Sequence, residues 1–187
     1  ELNLQLPDGS RLFAAMEVSM RPTLIVRKHQ FSLSRLADLQ ERGLCDSLTS
    51  SFLGAAVRAK RNLIICGGTG SGKTTLLRSL INEVDSSERI VNIEGKGEIT
   101  LADLTRMALR MDPDRVIVGE VRGAEAFPML LAMSQGNNGS MCTMHADSAR
   151  SVFPKLAAYV SMASTGLPVE TINNIIASAV HFVVHID

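Results

Sequence analysis

The feature that most constrains this chain is a glycine-rich loop that joins a short apolar segment to a segment with helical periodicity. Residues 62–66 predict a buried strand, and residues 73–82 predict a helix. The loop and the start of the helix comprise Gly67, Gly68, Thr69, Gly70, Ser71, Gly72, Lys73, Thr74 and Thr75. Because a strand, a loop and a helix form the repeating unit of parallel sheets, the sequence predicts an α/β fold.

The loop also carries a chemical signal. Residues 67–74 match the pattern G-x-x-x-x-G-K-[ST], which is typical of a phosphate-binding loop when it follows a strand and opens a helix. Glycines let successive backbone N–H groups face a phosphate, with the positive end of the helix behind them. The Lys73 ammonium would reach the β- and γ-phosphates, and the Thr74 hydroxyl would be a ligand of Mg²⁺. The loop therefore predicts binding of ATP with Mg²⁺; the alternative is a glycine-rich turn with a surface lysine.

The rest of the chain predicts two domains. Residues 1–30 contain short alternating runs, which we interpret as the carboxy-terminal part of a small β-rich N-terminal domain. Residues 31–187 alternate between strand and helix patterns, and this order predicts a mostly parallel sheet. Pro128 and Pro154 fall within expected helices, where proline is unfavourable. Further strands are expected at residues 89–93, 115–119, 140–144 and 181–186.

Composition narrows the possible functions. Nineteen Lys and Arg balance nineteen Asp and Glu, and this net charge of zero argues against a general polyanion binder. One Tyr, six Phe and no Trp leave few rings for base stacking, so we expect no nucleic-acid partner. The cysteines Cys45, Cys66 and Cys142 lack the spacing of a zinc site. No apolar run reaches the roughly 18 residues that span a bilayer, and the absence of an initial Met leads us to expect a fragment of a longer protein.

Two side chains near the ends of other predicted strands are candidates for catalysis. Glu120 follows the run at residues 115–119, and in a parallel sheet it would share an edge with the glycine loop, where it could hold Mg²⁺ or polarise water. His145 ends a later apolar run and could sense the γ-phosphate. The alternatives are a solvated glutamate and a packed strand-end histidine. His181 and His185 alternate with apolar residues, and we interpret them as packing residues.

These motifs, in this order, resemble a known family. The stretches GGTGSGKTT, LRMDPDRVIVGEVRGAEA and GSMCTMHADS, with PDGSRLFA near the start, resemble the secretion ATPases of type II secretion, type IV secretion and type IV pilus assembly. The greatest similarity is to the CpaF/TadA type of tight-adherence pilus ATPase. The resemblance implies a RecA-like P-loop core in a homo-hexameric ring, with ATP bound between the two domains of a subunit and its neighbour. It makes Lys73 and Thr74 the Walker A pair, Glu120 the Walker B acid and His145 the member of the His box.

The resemblance also draws attention to three arginines. Arg27 matches an arginine at the end of the amino-terminal domain that points toward the nucleotide in relatives. Arg110 and Arg122 flank the Walker B strand and are candidates for phosphate or subunit contacts. For each of the three, a solvated surface position is the alternative.

The sequence departs from the family at one place. After the strand that matches Arg89 to Val91, relatives carry an acidic stretch of the type T-I-E-D, called the Asp box, then a variable segment, then a tract like residues 92–98. Here the two ends abut, so either the chain has lost the box or a segment is omitted before Asn92. We favour the omission, because the box supplies the glutamate that activates water, and we expect a Cα step much longer than the about 3.8 Å of a trans peptide. Glu94 is then not a substitute for that glutamate.

Together these observations predict a MgATP-hydrolysing motor of a type IV or tight-adherence pilus or secretion machine. We expect it in the cytoplasm, against an inner-membrane platform protein and without direct membrane insertion. The alternative is an ATP-binding assembly or regulatory subunit with negligible turnover, which loss of the Asp box would permit. A small-molecule kinase shares the loop but needs a lid, and the sequence contains no arginine-rich insertion of that kind.

Overall fold

The computed structural model describes residues 2–7, 10–15, 21–27, 35–94, 99–163 and 165–187. These residues belong to two compact units, Glu1–Leu33 and Ser34–Asp187. The first unit contains a three-stranded antiparallel sheet whose strands are β1 (Leu2–Gln5), β2 (Arg11–Ala15) and β3 (Thr23–Arg27). β2 is the central strand. The predicted β-rich character of this segment is therefore confirmed.

The second unit is built around a five-stranded sheet in which every pairing is parallel. Its strands are β4 (Leu63–Gly67), β5 (Ile90–Ile93), β6 (Arg115–Val121), β7 (Met141–His145) and β8 (Phe182–Ile186). They lie in the order β5-β6-β7-β4-β8. The parallel sheet expected from the sequence is confirmed. β7 lies between β4, which leads into the glycine loop, and β6, which carries Glu120.

Helices cover both faces of this sheet. They are α1 (Leu36–Glu41), α2 (Ser47–Arg58), α3 (Lys73–Ile81), α4 (Leu101–Leu109), α5 (Ala126–Ser134), α6 (Val152–Met162) and α7 (Val169–Ala179). Leu63 and Ile65 pack toward α1, α2 and α3, whereas Ile64 and Cys66 pack toward the other four helices. Both faces of β4 are thus buried, which explains its continuous apolar sequence. Among the described residues, no helix is long and apolar enough to cross a membrane.

Local sequence signals explain where several helices begin. Pro128 and Pro154 are each the third residue of their helix, α5 and α6. The first N–H groups of a helix have no intrahelical acceptor, so proline removes no hydrogen bond there. The Thr100 hydroxyl accepts a hydrogen bond from the Asp103 N–H at 3.1 Å, as the capping-box spacing predicts for the start of α4.

The β5–β6 register runs without a shift from Ile90 to Ile93, and the expected omission of a segment before Asn92 stays a prediction. One expectation about strand ends is wrong. β6 continues two residues past its predicted end at Gly119, because its register with β7 shifts before Val121. Glu120 therefore lies inside a strand.

The strands begin at an edge held together by buried polar groups. Asn62 precedes β4 and is fully buried; its side chain donates to two carbonyl groups and accepts from two N–H groups, and its own N–H donates to a histidine ring. The partners are Met133, Ala179, Gly139, Ser140 and His181. This set ties β4 to α5, α7 and the starts of β7 and β8. It also gives His181 a structural role, as the sequence indicated.

Arg115 provides a second anchor at the same edge. Its side chain has no exposed surface, and its Nε and Nη2 atoms each donate to a Glu88 carboxylate oxygen at 2.8 Å. Its Nη1 atom donates to the Val57 carbonyl at 2.9 Å. The hydrogen bonds from Arg115 lower the pKa of Glu88 and outweigh the opposing effect of burial. The buried guanidinium therefore has a charged partner as well as a backbone acceptor.

We predict that Glu88→Gln lowers the free energy of unfolding by about 3 kcal/mol, because it leaves the buried Arg115 charge without a carboxylate. Glu83→Gln is the matched control: Glu83 pairs with Arg58, whose side chain is 59% exposed, and its loss should cost less than about 1 kcal/mol. Urea denaturation measures both changes. Since the pKa of Glu88 is lowered, its contribution is present above the ordinary value of 4.5 and is lost as the pH falls through the lowered pKa. Equal losses in the two variants would contradict this role of Arg115.

Candidate functional site

The glycine loop ends at the amino terminus of α3. Gly72 is the residue before this helix, and its φ of 96° is a conformation that glycine adopts without strain. Among the described residues, no side chain caps the helix. Its first N–H groups are therefore not occupied by a side chain, and the helix dipole favours an anion beside them. This is the geometry of an oxyanion site.

The base of the loop lies tightly against the end of β8. A Cβ atom on Gly67 would lie 2.2 Å from the Ile186 carbonyl oxygen and 2.7 Å from the Ser71 hydroxyl. Only glycine leaves room for this approach. The Ser71 hydroxyl is itself buried and has no hydrogen-bond partner among the described residues. Gly68, Thr69 and Gly70 form the exposed tip of the loop.

Lys73 folds back over the loop. Its side chain is largely buried, and its Nζ atom donates to the Gly67 carbonyl at 3.0 Å and also to the Gly68 carbonyl. The positive charge thus lies directly beside the N–H groups of the loop. Thr74 and Thr75 follow in the first turn of α3 and are exposed. Residues 67–75 thus follow one another from the end of β4 into the first turn of α3.

Glu120 and His145 meet next to this loop. In the pairing of β4 with β7, His145 lies opposite Gly67. The His145 Nε2 atom is 2.9 Å from Glu120 Oε1, and Arg122 Nη2 contacts Glu120 Oε2. Although His145 Nε2 lies this close, Glu120 Oε1 accepts no hydrogen bond of good geometry from the described residues. The loop, the histidine and the carboxylate thus occupy one edge of the sheet.

The charges around Glu120 favour its ionised form. Burial alone would raise the pKa of Glu120. The Arg122 guanidinium outweighs burial by lowering this pKa, and His145 and Lys73 lower it further. The pKa of Glu120 is consequently lowered. A carboxylate in this state can bind Mg²⁺ or orient a water molecule.

Glu125 is a site residue that was missed from the sequence. It is buried, and its Oε1 atom accepts hydrogen bonds from the N–H groups of Arg122 and Gly123. It thereby holds the turn from which the Arg122 side chain reaches Glu120. The sequence carried no capping-box signal for it, because Arg122, three residues earlier, is not an N-cap residue type and α5 begins only after Glu125.

Lys155 and Thr143 were also missed. The Lys155 ammonium donates to the His145 carbonyl at 2.6 Å, and the Thr143 hydroxyl donates to the Gly119 carbonyl at 2.6 Å. No spacing rule links Lys155 to His145, since they lie on different elements. The only signal for Thr143 was a polar residue inside an apolar strand.

The three candidate arginines lie in different parts of the chain. Arg122 lies in the site. Arg110 follows α4 at the amino edge of the sheet, where Arg89 donates to the carbonyl groups of Met111 and Asp112. Within one chain Arg110 thus lies at the end of α4 away from the loop, and its contact with phosphate or with a neighbouring subunit stays a prediction. Arg27 ends β3 in the first unit, and its contact with nucleotide stays a prediction.

A parallel sheet with a glycine loop at its carboxyl edge defines a P-loop protein of the RecA-like class, which confirms the fold class expected from the sequence. A family model described as "Type II/IV secretion system protein" matches residues 2–186. The chain therefore belongs to this family, and the expected membership of the secretion ATPase superfamily is confirmed. Its place in the CpaF/TadA branch stays a prediction.

Relatives of known name agree with this assignment. A putative conjugal transfer protein of Mycobacterium tuberculosis is 35% identical over 174 residues, which cover 81% of this chain and 49% of the relative. The type IV secretion system protein VirB11 of Brucella suis is 33% identical over 163 residues, which cover 73% of this chain and 45% of the relative. The probable conjugal transfer protein TrbB of Sinorhizobium fredii is 29% identical over 204 residues, which cover 98% of this chain and 62% of the relative. The chain thus spans about half the length of the first two relatives.

Solved structures share the fold. The Brucella suis VirB11 ATPase superposes with a TM-score of 0.70 at 29% identity, covering 98% of this chain and 70% of that one. The pilus retraction motor PilT also gives a TM-score of 0.70, at 20% identity, and the match covers 98% of this chain and 57% of that one. The alignment with TrbB runs over 204 positions although this chain has only 187 residues, so it contains positions that this chain lacks.

We predict that Gly67→Ala lowers the free energy of unfolding by about 1–3 kcal/mol, because the new methyl group would overlap the Ile186 carbonyl. Gly68→Ala is the control, since a Cβ atom there meets no atom within 4 Å, and its effect should stay within about 0.5 kcal/mol. Urea denaturation of both variants decides the point. A Gly67→Ala variant as stable as Gly68→Ala would show that β8 does not constrain the loop.

Proposed function

We propose that this chain is the MgATP-hydrolysing core of a motor ATPase of a type IV or tight-adherence pilus or secretion machine, within the CpaF/TadA branch. The observation that carries the proposal is the position of an ionised carboxylate, Glu120, at the same sheet edge as the glycine loop and Lys73. Membership of the secretion family supports the same function. The related VirB11 ATPase was crystallised in complex with sulphate, an oxyanion.

Each group in the site has a defined task in ATP hydrolysis. The N–H groups of residues 67–75 bind the β-phosphate, and Lys73 exchanges the loop carbonyls for β- and γ-phosphate oxygens. The Thr74 hydroxyl and the Glu120 carboxylate are oxygen ligands of the kind that Mg²⁺ prefers, and Thr74 is exposed at the loop. When bound, Mg²⁺ neutralises phosphate charge.

His145 and Arg122 complete the proposed assignment. Both contact Glu120 directly, so a γ-phosphate that reaches the carboxylate also meets these two side chains. Glu120 orients the attacking water, while His145 senses the presence of the γ-phosphate. Arg122 balances the charge of Glu120 and can pair with phosphate instead.

At the level of the assembly, we infer a homo-hexameric ring in which a neighbouring subunit completes each nucleotide site. The contact of Arg27 with nucleotide is part of this proposal. The ring works in the cytoplasm against an inner-membrane platform protein, and closure and opening of the domains transmit force. These statements rest on the family and on the site together.

A second function has one specific observation in its favour. The alignment with TrbB contains positions that this chain lacks, as loss of the Asp box would produce. A chain without the Asp box lacks the glutamate that the family would use to activate water. Such a chain would bind ATP as an assembly or regulatory subunit with negligible turnover.

Phosphate release at saturating MgATP distinguishes the two functions. We expect Lys73→Ala to lower the rate by roughly 100-fold or more, since it removes the charge beside the transferred phosphate. The control is Arg78→Ala, which removes an exposed cation from the same helix, α3, and should leave the rate within about twofold. A parent chain whose rate equals that of Lys73→Ala would favour the regulatory subunit.

The proposed hexameric ring can be tested through the mass of the particle and the turnover per chain. We expect a non-hydrolysable ATP analogue to raise the mass of the particle, and turnover per chain to increase with protein concentration, because each site is completed by a neighbour. Light scattering and rate measurements over the same concentration range provide the test. A rate per chain that stays flat while the species remains monomeric would contradict sites shared between subunits.

A further inference from the structure

The pairing of β6 with β7 contains an irregularity beside Glu120. Ile117 lies opposite Met141 and Val118 opposite Cys142, but the next pair is Val121 with Met144. Between these two pairs β6 advances by three residues, whereas β7 advances by two. The extra residue makes a β-bulge, in which Gly119 and Glu120 together face the single residue Thr143.

The bulge decides which face of the sheet Glu120 occupies. Val118 and Val121 both pack into the apolar cluster beneath α4, α5, α6 and α7, although residues three apart in a regular strand point to opposite faces. Without the extra residue, Glu120 would share the face of Val118 and enter that apolar cluster. With it, Glu120 is directed to the other side of the sheet, on which α3 lies.

Thr143 is the residue that holds this bulge. It is buried, and it lies between Cys142 and Met144, which both face the apolar cluster, so its own side chain faces the α3 side. Its hydroxyl donates to the Gly119 carbonyl at 2.6 Å. A bulged residue loses its place in the regular ladder of backbone hydrogen bonds, and a side-chain donor can satisfy the displaced carbonyl.

We propose that Thr143 is a positioning residue whose hydroxyl fixes the bulge at Gly119 and thereby aims the Glu120 carboxylate at the phosphate loop. The inference deepens the proposed ATPase function and rests on it for its kinetic consequence. The geometric consequence is independent of turnover: the contact of Glu120 with His145 depends on a hydroxyl group on the neighbouring strand.

Three variants test this role. Thr143→Val keeps the shape of the side chain and removes the hydroxyl, and Thr143→Ser restores the hydroxyl. Thr105→Val is the matched control, because Thr105 is equally buried and donates to the Leu101 carbonyl at 2.7 Å, within helix α4. The hydrogen bond of its hydroxyl lies within α4. The three variants are compared with the parent for steady-state kcat and KM with MgATP and for binding of MgADP.

We expect Thr143→Val to lower kcat by roughly 10- to 100-fold, the effect of misplacing a reacting group by about 1 Å, while MgADP affinity and KM change by less than about threefold. Thr143→Ser should recover most of the lost kcat, and Thr105→Val should match the parent. If the parent shows Lys73-dependent turnover, a Thr143→Val variant with the kcat of the parent would overturn the proposal. So would equal losses of kcat in Thr143→Val and Thr105→Val.

Crystal structures of the parent and of Thr143→Val, both without nucleotide, separate this inference from the proposed function. We expect the Glu120 carboxylate to move away from His145 Nε2 by about 1 Å or more in the variant, the displacement that would also impair catalysis. If this occurs in a chain with no Lys73-dependent turnover, the positioning role holds and the ATPase function fails. If the carboxylate and the bulge are unchanged, the positioning role fails whatever the turnover.

Discussion

The candidate site depends on the close parallel pairing of β4 with the strands on either side of it. Gly67 lies opposite His145 on β7 and opposite Ile186 on β8, and the Ile186 carbonyl leaves no space for a side chain on Gly67. The base of the loop is therefore held between two strand ends. α3 starts from that base, so the directions of its N–H groups and of Lys73 follow from the same pairing.

Charge balance is the second property that organises this edge. Burial of Glu120 opposes its ionisation, but the Arg122 guanidinium outweighs this effect, and the Lys73 ammonium acts in the same direction as Arg122. The arrangement is maintained by groups outside the site, since Glu125 holds the turn at Arg122 and Lys155 holds the His145 carbonyl. The cations that stabilise Glu120 are also the ones that a phosphate would attract.

The opposite edge of the sheet has a different task. Buried side chains of Asn62 and Arg115 satisfy backbone groups of several elements there and hold the starts of the strands in register. Buried polar groups of this kind stabilise one arrangement because any other would leave donors or acceptors unpaired. Ligands of open parallel sheets bind at the carboxyl ends of the strands, and in this chain that edge carries the exposed tip of the glycine loop.

Local signals in the sequence determined the α/β pattern, the glycine loop with Lys73 and Thr74, and the candidate carboxylate at Glu120. Each of these depends on residues that are neighbours along the chain, through periodicity or through a motif of fixed spacing. The tertiary structure alone decided that β7 separates β4 from β6, that a bulge turns Glu120 away from the apolar cluster, and that Arg110 lies at the far edge. Strand order and register arise from contacts between residues far apart in the chain, and a shift of one residue reverses the face of every side chain that follows.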